Sequence, residues 1–234
     1  MLKIFSFIFL ISMMVSSSIN TNTKTYSVKK IAGKDFQISG KGDNVIWRTA
    51  NVLNDFTYPW EKEAPPATSF KALHSDQWVY LLYEVKDENI NVYVNTNEKT
   101  EVMYSDRVEI FFRKDSEMLP YYGLELDPHG RVYDYEVFYH RKFNRDWSWP
   151  SGQLQVKSNI KKGGYSVEVA ISKESLVQMG LLKNNQLEAG IFRGECIEIK
   201  KASDSDIKWI SWVIPDSPTP DFHIPSAFGI LSLE

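Results

Sequence analysis

The sequence has little cysteine and no excess of positive charge. Cys196 is the only cysteine among 234 residues, so no intramolecular disulfide can form and the fold must depend on core packing. The 27 lysines and arginines are outnumbered by 30 aspartates and glutamates, whereas a nucleic-acid binder needs a basic surface to displace counterions. After residue 20 no stretch approaches the ~18 consecutive apolar residues of a membrane-spanning helix. We therefore expect no nucleic-acid partner and no membrane span.

The first twenty residues are typical of an export signal. Lys3 supplies a positive start, residues 4–15 are almost all apolar, and the small residues Ser16, Ser17 and Ser18 follow. This order of charge, apolar run and small residues is that of a signal peptide, and the run is too short for a comfortable transmembrane anchor. We expect a signal peptide at residues 1–20, cleaved near residues 18–20, and one domain at residues 21–234. The mature protein is expected in the periplasm or outside the cell.

The rest of the chain is rich in segments typical of β-strands. Dense or alternating apolar and aromatic residues occur at 78–85, 107–112, 122–126, 133–138, 165–171, 187–199, 209–213 and 228–233. Only one helix is well indicated, with Ser172 as its N-cap and Gly180 after its last turn. Many strands with a single helix predict an all-β fold, an antiparallel β-sandwich of jelly-roll type with one short helix.

Signatures of catalysis are scarce. The four histidines are far apart, and neither a glycine-rich phosphate loop nor a Gly-x-Ser-x-Gly motif is present. Glu109 and Glu125 lie on neighbouring predicted strands and point away from the apolar face, and a pair of carboxyl groups can hydrolyse a glycosidic bond. Arg107 lies on the same face as Glu109, so an ion-paired polar row explains these acids equally well. A glycoside hydrolase therefore stays open as an alternative, although we favour a protein that is not an enzyme.

Aromatic residues in predicted loops favour a sugar ligand. The 7 tryptophans, 12 tyrosines and 13 phenylalanines make up 14% of the chain. An aromatic ring can cover the C–H face of a pyranose while nearby polar groups bind its hydroxyls. Suitable loops are residues 144–150 with Trp147 and Trp149, residues 101–106 with Tyr104, and residues 219–225 with Phe222 and His223. Each ring could instead seal the edge of the core.

The other tryptophans have less distinctive surroundings. Trp47, Trp78 and Trp209 lie within strand patterns, which favours packing in the core or on a sheet. Trp60 follows Tyr58-Pro59 and fits either role.

Four blocks of sequence resemble the carbohydrate-binding modules of family 9. They are residues 105–112 (SDRVEIFF), 164–171 (GYSVEVAI), the strand at 187–193, and 224–229 (IPSAFG). The resemblance covers the chain from about residue 40 to the end. It implies a β-sandwich that binds glucan or xylan chains and small sugars, often at chain ends, without cleaving them. Such modules are frequently attached to xylanases, and some hold structural calcium.

The resemblance also implies roles for single residues. Family members clamp a sugar between two tryptophans, and Tyr104 and Phe222 stand at the corresponding positions here. The position of the family's arginine at the rim falls near Glu125, so its charge is reversed. Arg107 stands where the family commonly has serine and could restore the cation. The Trp147 and Trp149 loop could rebuild the stacking platform from another side.

These observations lead to one main prediction and three alternatives. We expect binding of a xylan- or glucan-type oligosaccharide or polysaccharide, with a separate glycoside hydrolase in the same compartment as a candidate partner. No cofactor is required, and structural calcium is compatible with the resemblance. The expected ligand-binding residues are Tyr104, Arg107, Glu109, Glu125, Asp127, Trp147, Trp149, Arg193, Phe222 and His223. The alternatives are a hydrolase using Glu109 and Glu125, a haem-binding sandwich using Met103 with His140 or His223, and a scaffold whose aromatic loops contact another protein.

Overall fold

The computed structural model describes residues 23–201 and 204–234. Within these residues the chain forms thirteen β-strands and one short α-helix. The strands are β1 (Thr25–Lys30), β2 (Thr68–His74), β3 (Trp78–Lys86), β4 (Arg107–Arg113), β5 (Tyr121–Leu126), β6 (Val132–Phe138), β7 (Lys142–Asn144), β8 (Leu154–Lys161), β9 (Gly164–Ser172), β10 (Leu182–Lys183), β11 (Gln186–Lys201), β12 (Asp204–Ser211) and β13 (Gly229–Leu233). The helix is α1 (Lys173–Gln178), and short 3-10 helices occur at Val45–Thr49, Lys99–Tyr104 and Pro225–Ala227. The predicted signal peptide at residues 1–20 lies outside the described residues.

The strands form two faces that meet at β1. The first sheet has the order β7-β6-β5-β4-β11-β13, with β10 and β12 also paired to β11, and the second sheet has the order β2-β3-β9-β8. Strand β1 links them, since residues 25–28 pair with β13 and residues 29–30 pair with β2. The prediction of an all-β sandwich with one short helix is confirmed.

The pairing of β1 differs from a purely antiparallel arrangement. Both of its ladders are parallel, whereas the other pairings between the described strands are antiparallel. A parallel pair needs a long crossover connection, and residues 31–67 supply one between β1 and β2. Strand patterns in a sequence do not report such long-range pairing.

The main hydrophobic core lies between the two sheets. Val108, Ile110 and Phe112 of β4 point into it, and Val167 and Val169 of β9 face them from the second sheet. Because side chains alternate along a strand, the odd-numbered residues of β4 point to the outer face of the first sheet. That outer face is itself covered by loops, so polar residues placed there are shielded from water.

The predicted helix is confirmed, and its ends follow from local chemistry. The side chain of Ser172 accepts a hydrogen bond from the amide of Glu174 at 3.1 Å, which caps the first turn. Gly180 has a φ of +69°, a left-handed conformation that glycine adopts at low cost after a helix.

Candidate functional site

A pocket opens on the outer face of the first sheet, where β4, β5 and β12 meet two loops. Its volume is about 150 Å³, and a cavity of that size holds a six-membered ring such as benzene. The residues that line it are Trp60, Arg107, Glu109, Glu125, Arg141, Trp209, Pro220, Asp221, Phe222 and His223. We call this space the Trp60 pocket.

Three charged residues form the base of the pocket. Glu109 and Glu125 are direct partners across the β4–β5 ladder. The Nε atom of Arg107 lies 2.8 Å from an oxygen of Glu109 and 2.6 Å from an oxygen of Glu125. Both glutamates are buried, at 2% and 6% exposure. Their carboxyl groups are therefore shielded from water and share one cation. We refer to the three residues as the Arg107 cluster.

Burial changes the protonation of this cluster. It raises the pKa of Glu109 to about 8, with the neighbouring carboxylate of Glu125 adding to the shift and Arg107 opposing it. The protonated form of Glu109 is therefore favoured relative to a carboxyl group in water, and that form can donate as well as accept a hydrogen bond. The hydroxyl of Tyr135 donates to Glu125 at 2.9 Å. The carboxyl group of Glu125 is thus oriented by the hydroxyl of Tyr135.

Arg107 retains one nitrogen for a ligand. Its Nη1 donates to the carbonyl oxygens of Met103 and Ser105 at 3.0 and 3.2 Å. Its guanidinium carbon lies 5.1 Å from the ring centre of Trp209, a cation–π contact. Among the described residues, Nη2 has no hydrogen-bond acceptor. The guanidinium is therefore held rigidly while one of its donors stays free.

Aromatic rings form one wall of the pocket. Phe222 is buried and stacks on Phe192, with ring centres 4.1 Å apart and an interplanar angle of 11°. Trp60 and Trp209 are half-buried and lie 5.5 and 5.7 Å from Phe222, measured between ring centres. The indole Nε1 of Trp60 donates to the carbonyl of Ser217 at 2.9 Å, which fixes the ring. Both indoles still present surface to the pocket.

Asp221 organises the rim of the pocket. It accepts hydrogen bonds from Nε2 of His140 at 3.0 Å, Nη2 of Arg141 at 2.8 Å and the amide of His223 at 2.8 Å. Burial works to raise the pKa of Asp221, but these three donors outweigh it and lower the pKa. Asp221 is therefore an anion that ties two loops together.

His223 is neutral under ordinary conditions. Burial is the main cause that lowers its pKa to about 3, and the positive charge of Arg141 adds to the effect. Its Nδ1 lies 2.8 Å from the hydroxyl of Tyr121, and its ring stacks on Phe111 at 5.0 Å between centres. The ring therefore offers hydrogen-bonding capacity without charge.

Five of the expected ligand-binding residues converge on the Trp60 pocket, namely Arg107, Glu109, Glu125, Phe222 and His223. The outward direction expected for the two glutamates agrees with the structure, although the covering loops bury them.

The two tryptophans of the 144–150 loop lie outside the Trp60 pocket, so the structure does not bring them together with the five residues that line it. Trp149 is 6% exposed, belongs to the core between the sheets, and donates through Nε1 to Ser175 at 3.1 Å. Trp147 packs against the same core, with its ring 5.0 Å from that of Tyr122. Local sequence marks these rings as loop residues but does not reveal which side of the sheet the loop covers.

Three further expected residues also lie away from the pocket. Arg193 points between the sheets and pairs with Asp87 at 2.6 Å, because residue 193 alternates with Phe192, whose side chain packs on the outer side of the sheet. Asp127 is fully buried and binds Arg131 at 2.7 Å while also accepting from backbone amides of its turn. Tyr104 packs edge-on against Tyr93, with ring centres 5.7 Å apart. In this structure each of the three has a structural partner.

Residue-by-residue reasoning missed the other members of the pocket. The strand pattern around Trp209 predicts packing, the surroundings of Trp60 fit either role, and no local motif points to Arg141 or Asp221. Residues 204–208, which precede Trp209, are mostly polar. This pattern favours an outer face of the sheet for Trp209 over a place in the core. Trp60 could be assigned only from long-range contacts.

Among the described residues we searched for a cluster of metal-ligating side chains and for a membrane-spanning helix, and found neither. No group of three or more His, Cys, Asp or Glu side chains within residues 23–201 and 204–234 is arranged to hold a metal ion. Structural calcium, which is compatible with the resemblance, stays a prediction. No helix in the same ranges is long and apolar enough to cross a membrane.

The fold and the pocket together define a β-sandwich protein with a small pocket on the outer face of one sheet. Residues 38–234 match the family described as carbohydrate family 9 binding domain-like, and the chain belongs to that family. Among curated proteins, none matches the chain at a significant level.

Solved structures share the fold. A candidate carbohydrate-binding protein from Bacteroides uniformis has a TM-score of 0.70 and 19% identity, covering 91% of this chain and 100% of that one. A family 9 carbohydrate-binding module from Caldicellulosiruptor kristjanssonii in complex with cellotriose has a TM-score of 0.55 and 20% identity, covering 90% and 94%. Its counterpart from the same organism in complex with glucose has a TM-score of 0.52 and 21% identity, covering 90% and 96%.

Proposed function

We propose that the Trp60 pocket binds one terminal unit of a neutral xylan- or glucan-type saccharide without cleaving it. The observation that carries this proposal is the combination of two half-buried indoles, Trp60 and Trp209, with the Arg107 cluster around a space for one ring. Membership of the carbohydrate-binding family supports a sugar ligand. The cellotriose and glucose bound to the Caldicellulosiruptor modules support a glucan-type ligand.

The chemistry of the lining matches that of a pyranose. An indole covers the apolar C–H face with a large rigid area, and a few convergent polar groups bind the hydroxyls and fix orientation. The free Nη2 of Arg107 donates to a hydroxyl oxygen, while the carboxyl groups of Glu109 and Glu125 accept from hydroxyl hydrogens. Because each hydroxyl must first lose its water, we expect a modest affinity.

The arrangement of the two glutamates favours binding over hydrolysis. A glycosidase needs one carboxyl group as acid at the glycosidic oxygen and the other as base or nucleophile. Here Arg107 lies within 2.8 Å of both carboxyl groups, and Tyr135 occupies Glu125 as well. The protein should therefore release no reducing ends from xylan or cellulose during prolonged incubation.

Calorimetric titration tests the binding proposal. Glucose, cellotriose and xylotriose are titrated into the wild type, Trp60→Ala and Trp147→Ala. We expect Trp60→Ala to weaken binding at least about tenfold, as loss of an aromatic anchor usually does. Trp147→Ala is the matched control, since it also removes a half-buried indole but from outside the pocket, and its affinity should stay at the wild-type value. Absence of binding across a broad glycan panel by folded wild-type protein would overturn the proposal.

Export and domain organisation belong to the same proposal. Residues 1–20 would direct export and residues 21–234 would form the mature domain, which is consistent with a family match that begins at residue 38. A protein acting on polysaccharide outside the cytoplasm would work beside a separate glycoside hydrolase. Mass spectrometry of the secreted protein tests the first point, because a mature N-terminus near residues 19–21 is expected.

A further inference from the structure

A second surface with sugar-binding chemistry lies on the outer face of the second sheet. Two hollows of about 260 and 410 Å³ meet there, and Trp78 borders both of them. Each is larger than the ~150 Å³ that a six-membered ring requires. We call the combined feature the Trp78 groove. It faces away from the Trp60 pocket, because the pocket lies on the outer face of the first sheet.

Strand alternation places Trp78 at the centre of this groove. Val79 and Leu81 point into the core between the sheets, so Trp78 and Tyr80 point outward. Trp78 is half-buried and packs in part against the outer cluster that contains Tyr80, and within the described part of the chain its indole N–H has no acceptor. Trp47 on the same side differs, since its Nε1 donates to Glu168 at 2.7 Å. The indole of Trp78 thus keeps a free donor and borders both hollows.

Glutamine side chains surround this indole. Gln37 and Gln155 border the smaller hollow, and Gln77 and Gln153 border the larger one, which accounts for four of the six glutamines in the chain. None of these four side-chain amides has a hydrogen-bond partner among the residues that the structure describes. An amide can donate and accept at once, so it pairs well with a sugar hydroxyl.

The charges of the groove favour an uncharged ligand. Asp76 and Glu174 lie along the larger hollow and Asp35 along the smaller one. The one cation among the lining residues is Lys173, and its Nζ lies 2.8 Å from Nδ1 of His74. Lys30 pairs with Asp76 at 2.6 Å, so three acidic side chains stand against two lysines, and an acidic polysaccharide would meet an excess of like charge.

We propose that the Trp78 groove binds an internal stretch of a neutral linear polysaccharide, as a second site that acts together with the Trp60 pocket. This inference rests on the proposed function for the class of ligand, but it uses different residues. The hollows are open and hold more than one ring, so a chain can pass across the indole of Trp78. Two sites on opposite faces would strengthen attachment to a polymer that presents many chains.

Titration of Trp60→Ala with a long oligosaccharide, such as cellohexaose or xylohexaose, tests the groove in isolation. We expect this variant to retain one binding event per chain. Adding Trp78→Ala should weaken that event at least about tenfold, as removal of an aromatic anchor does. Adding Gln155→Ala, an exposed residue whose loss leaves the core intact, should weaken it severalfold. Gln186→Ala removes an exposed glutamine outside the groove and should have no effect.

The outcomes separate this inference from the proposed function. If Trp60→Ala does not bind the long oligosaccharide, or if Trp78→Ala and Gln155→Ala leave its binding unchanged, the groove is not a sugar site. If the wild type binds cellohexaose but not glucose, and Trp60→Ala behaves as the wild type, the pocket proposal fails while the groove stands. If the folded wild type binds neither, both are overturned.

Discussion

Gly194 lies directly opposite Arg107 in the β4–β11 ladder, and its missing side chain leaves the space that the guanidinium occupies. A Cβ atom at residue 194 would lie 2.9 Å from Nη1 of Arg107 and 3.0 Å from its central carbon. Contacts this short force a shift. The glycine is therefore part of the site, although it offers no chemical group of its own.

This relationship makes Gly194→Ala a test of how the pocket is built. The added methyl group should displace the guanidinium from Glu109 and Glu125 and lower sugar affinity about tenfold, or about 1.4 kcal/mol. Calorimetric titration with glucose measures the change. Ala189→Gly, elsewhere on β11 and on the core-facing side, is the control: it should reduce thermal stability without altering affinity. Wild-type affinity in Gly194→Ala would show that the position of Arg107 does not matter for binding.

Glu109 should make stability fall as the pH rises. Burial raises its pKa to about 8 in the folded protein from an ordinary value of 4.5, so the folded state holds more protons than the unfolded state between those pH values. Stability decreases with pH where the folded state binds the additional proton, and the effect grows by about 1.4 kcal/mol per unit of pKa difference. The destabilisation caused by Glu109 is absent below pH 4.5 and reaches a constant value above pH 8.

Glu109→Gln isolates this effect. The wild type minus variant difference in unfolding free energy, from urea titrations at several pH values, should fall between about pH 4.5 and 8. A difference for Glu109→Gln that rises with pH would mean that Arg107 dominates and that Glu109 is ionised at neutral pH.

Period-two alternation explains what could be predicted about the site. Val108 and Ile110 mark the core side of β4, so Arg107 and Glu109 had to lie on the other face. The same rule could have excluded Arg193, because Leu187, Ala189 and Ile191 share its side of β11 and belong to the core. The sequence of β11 therefore predicts that Arg193 points into the core side of the sheet.

The aromatic wall of the pocket could not be predicted in this way. Trp60 and Phe222 are more than 150 residues apart in the sequence, yet their ring centres lie 5.5 Å apart. Their contact depends on two loops that cross the outer face of the first sheet. No local pattern specifies the direction of such loops, and for the same reason the core position of Trp149 was not foreseen.

Trp149 should therefore affect stability and not binding. Trp149→Phe removes the indole N–H that donates to Ser175 and leaves a small gap beside Phe112, whose ring lies 6.2 Å away. We expect a loss of about 1–3 kcal/mol in unfolding free energy and unchanged affinity for glucose. Chemical denaturation and calorimetry measure the two quantities. A large loss of affinity in a fully folded variant would restore Trp149 as a ligand-binding residue.

We expect Glu168 to stabilise the segment at residues 31–50, which covers the outer face of the second sheet. It is almost fully buried and accepts hydrogen bonds from the amides of Ser39 and Gly40 and from Nε1 of Trp47. Hydrogen bonds to a charged group contribute about 1.5–3 kcal/mol each. In Glu168→Gln one acceptor oxygen becomes an amide donor that faces other donors. We expect a loss of at least about 2 kcal/mol in unfolding free energy and faster proteolysis within residues 31–50.

The position of that segment links Glu168 to the Trp78 groove. Phe36 stacks on Tyr80, with ring centres 4.3 Å apart, and packs edge-on against Trp47. Releasing Trp47 should therefore loosen Phe36 and Gln37, which border the smaller hollow. Below its melting temperature, Glu168→Gln should bind cellohexaose more weakly through the groove while its affinity for glucose in the Trp60 pocket stays unchanged. Equal weakening of both ligands would instead indicate a general loss of folded protein, which circular dichroism at the temperature of titration would detect.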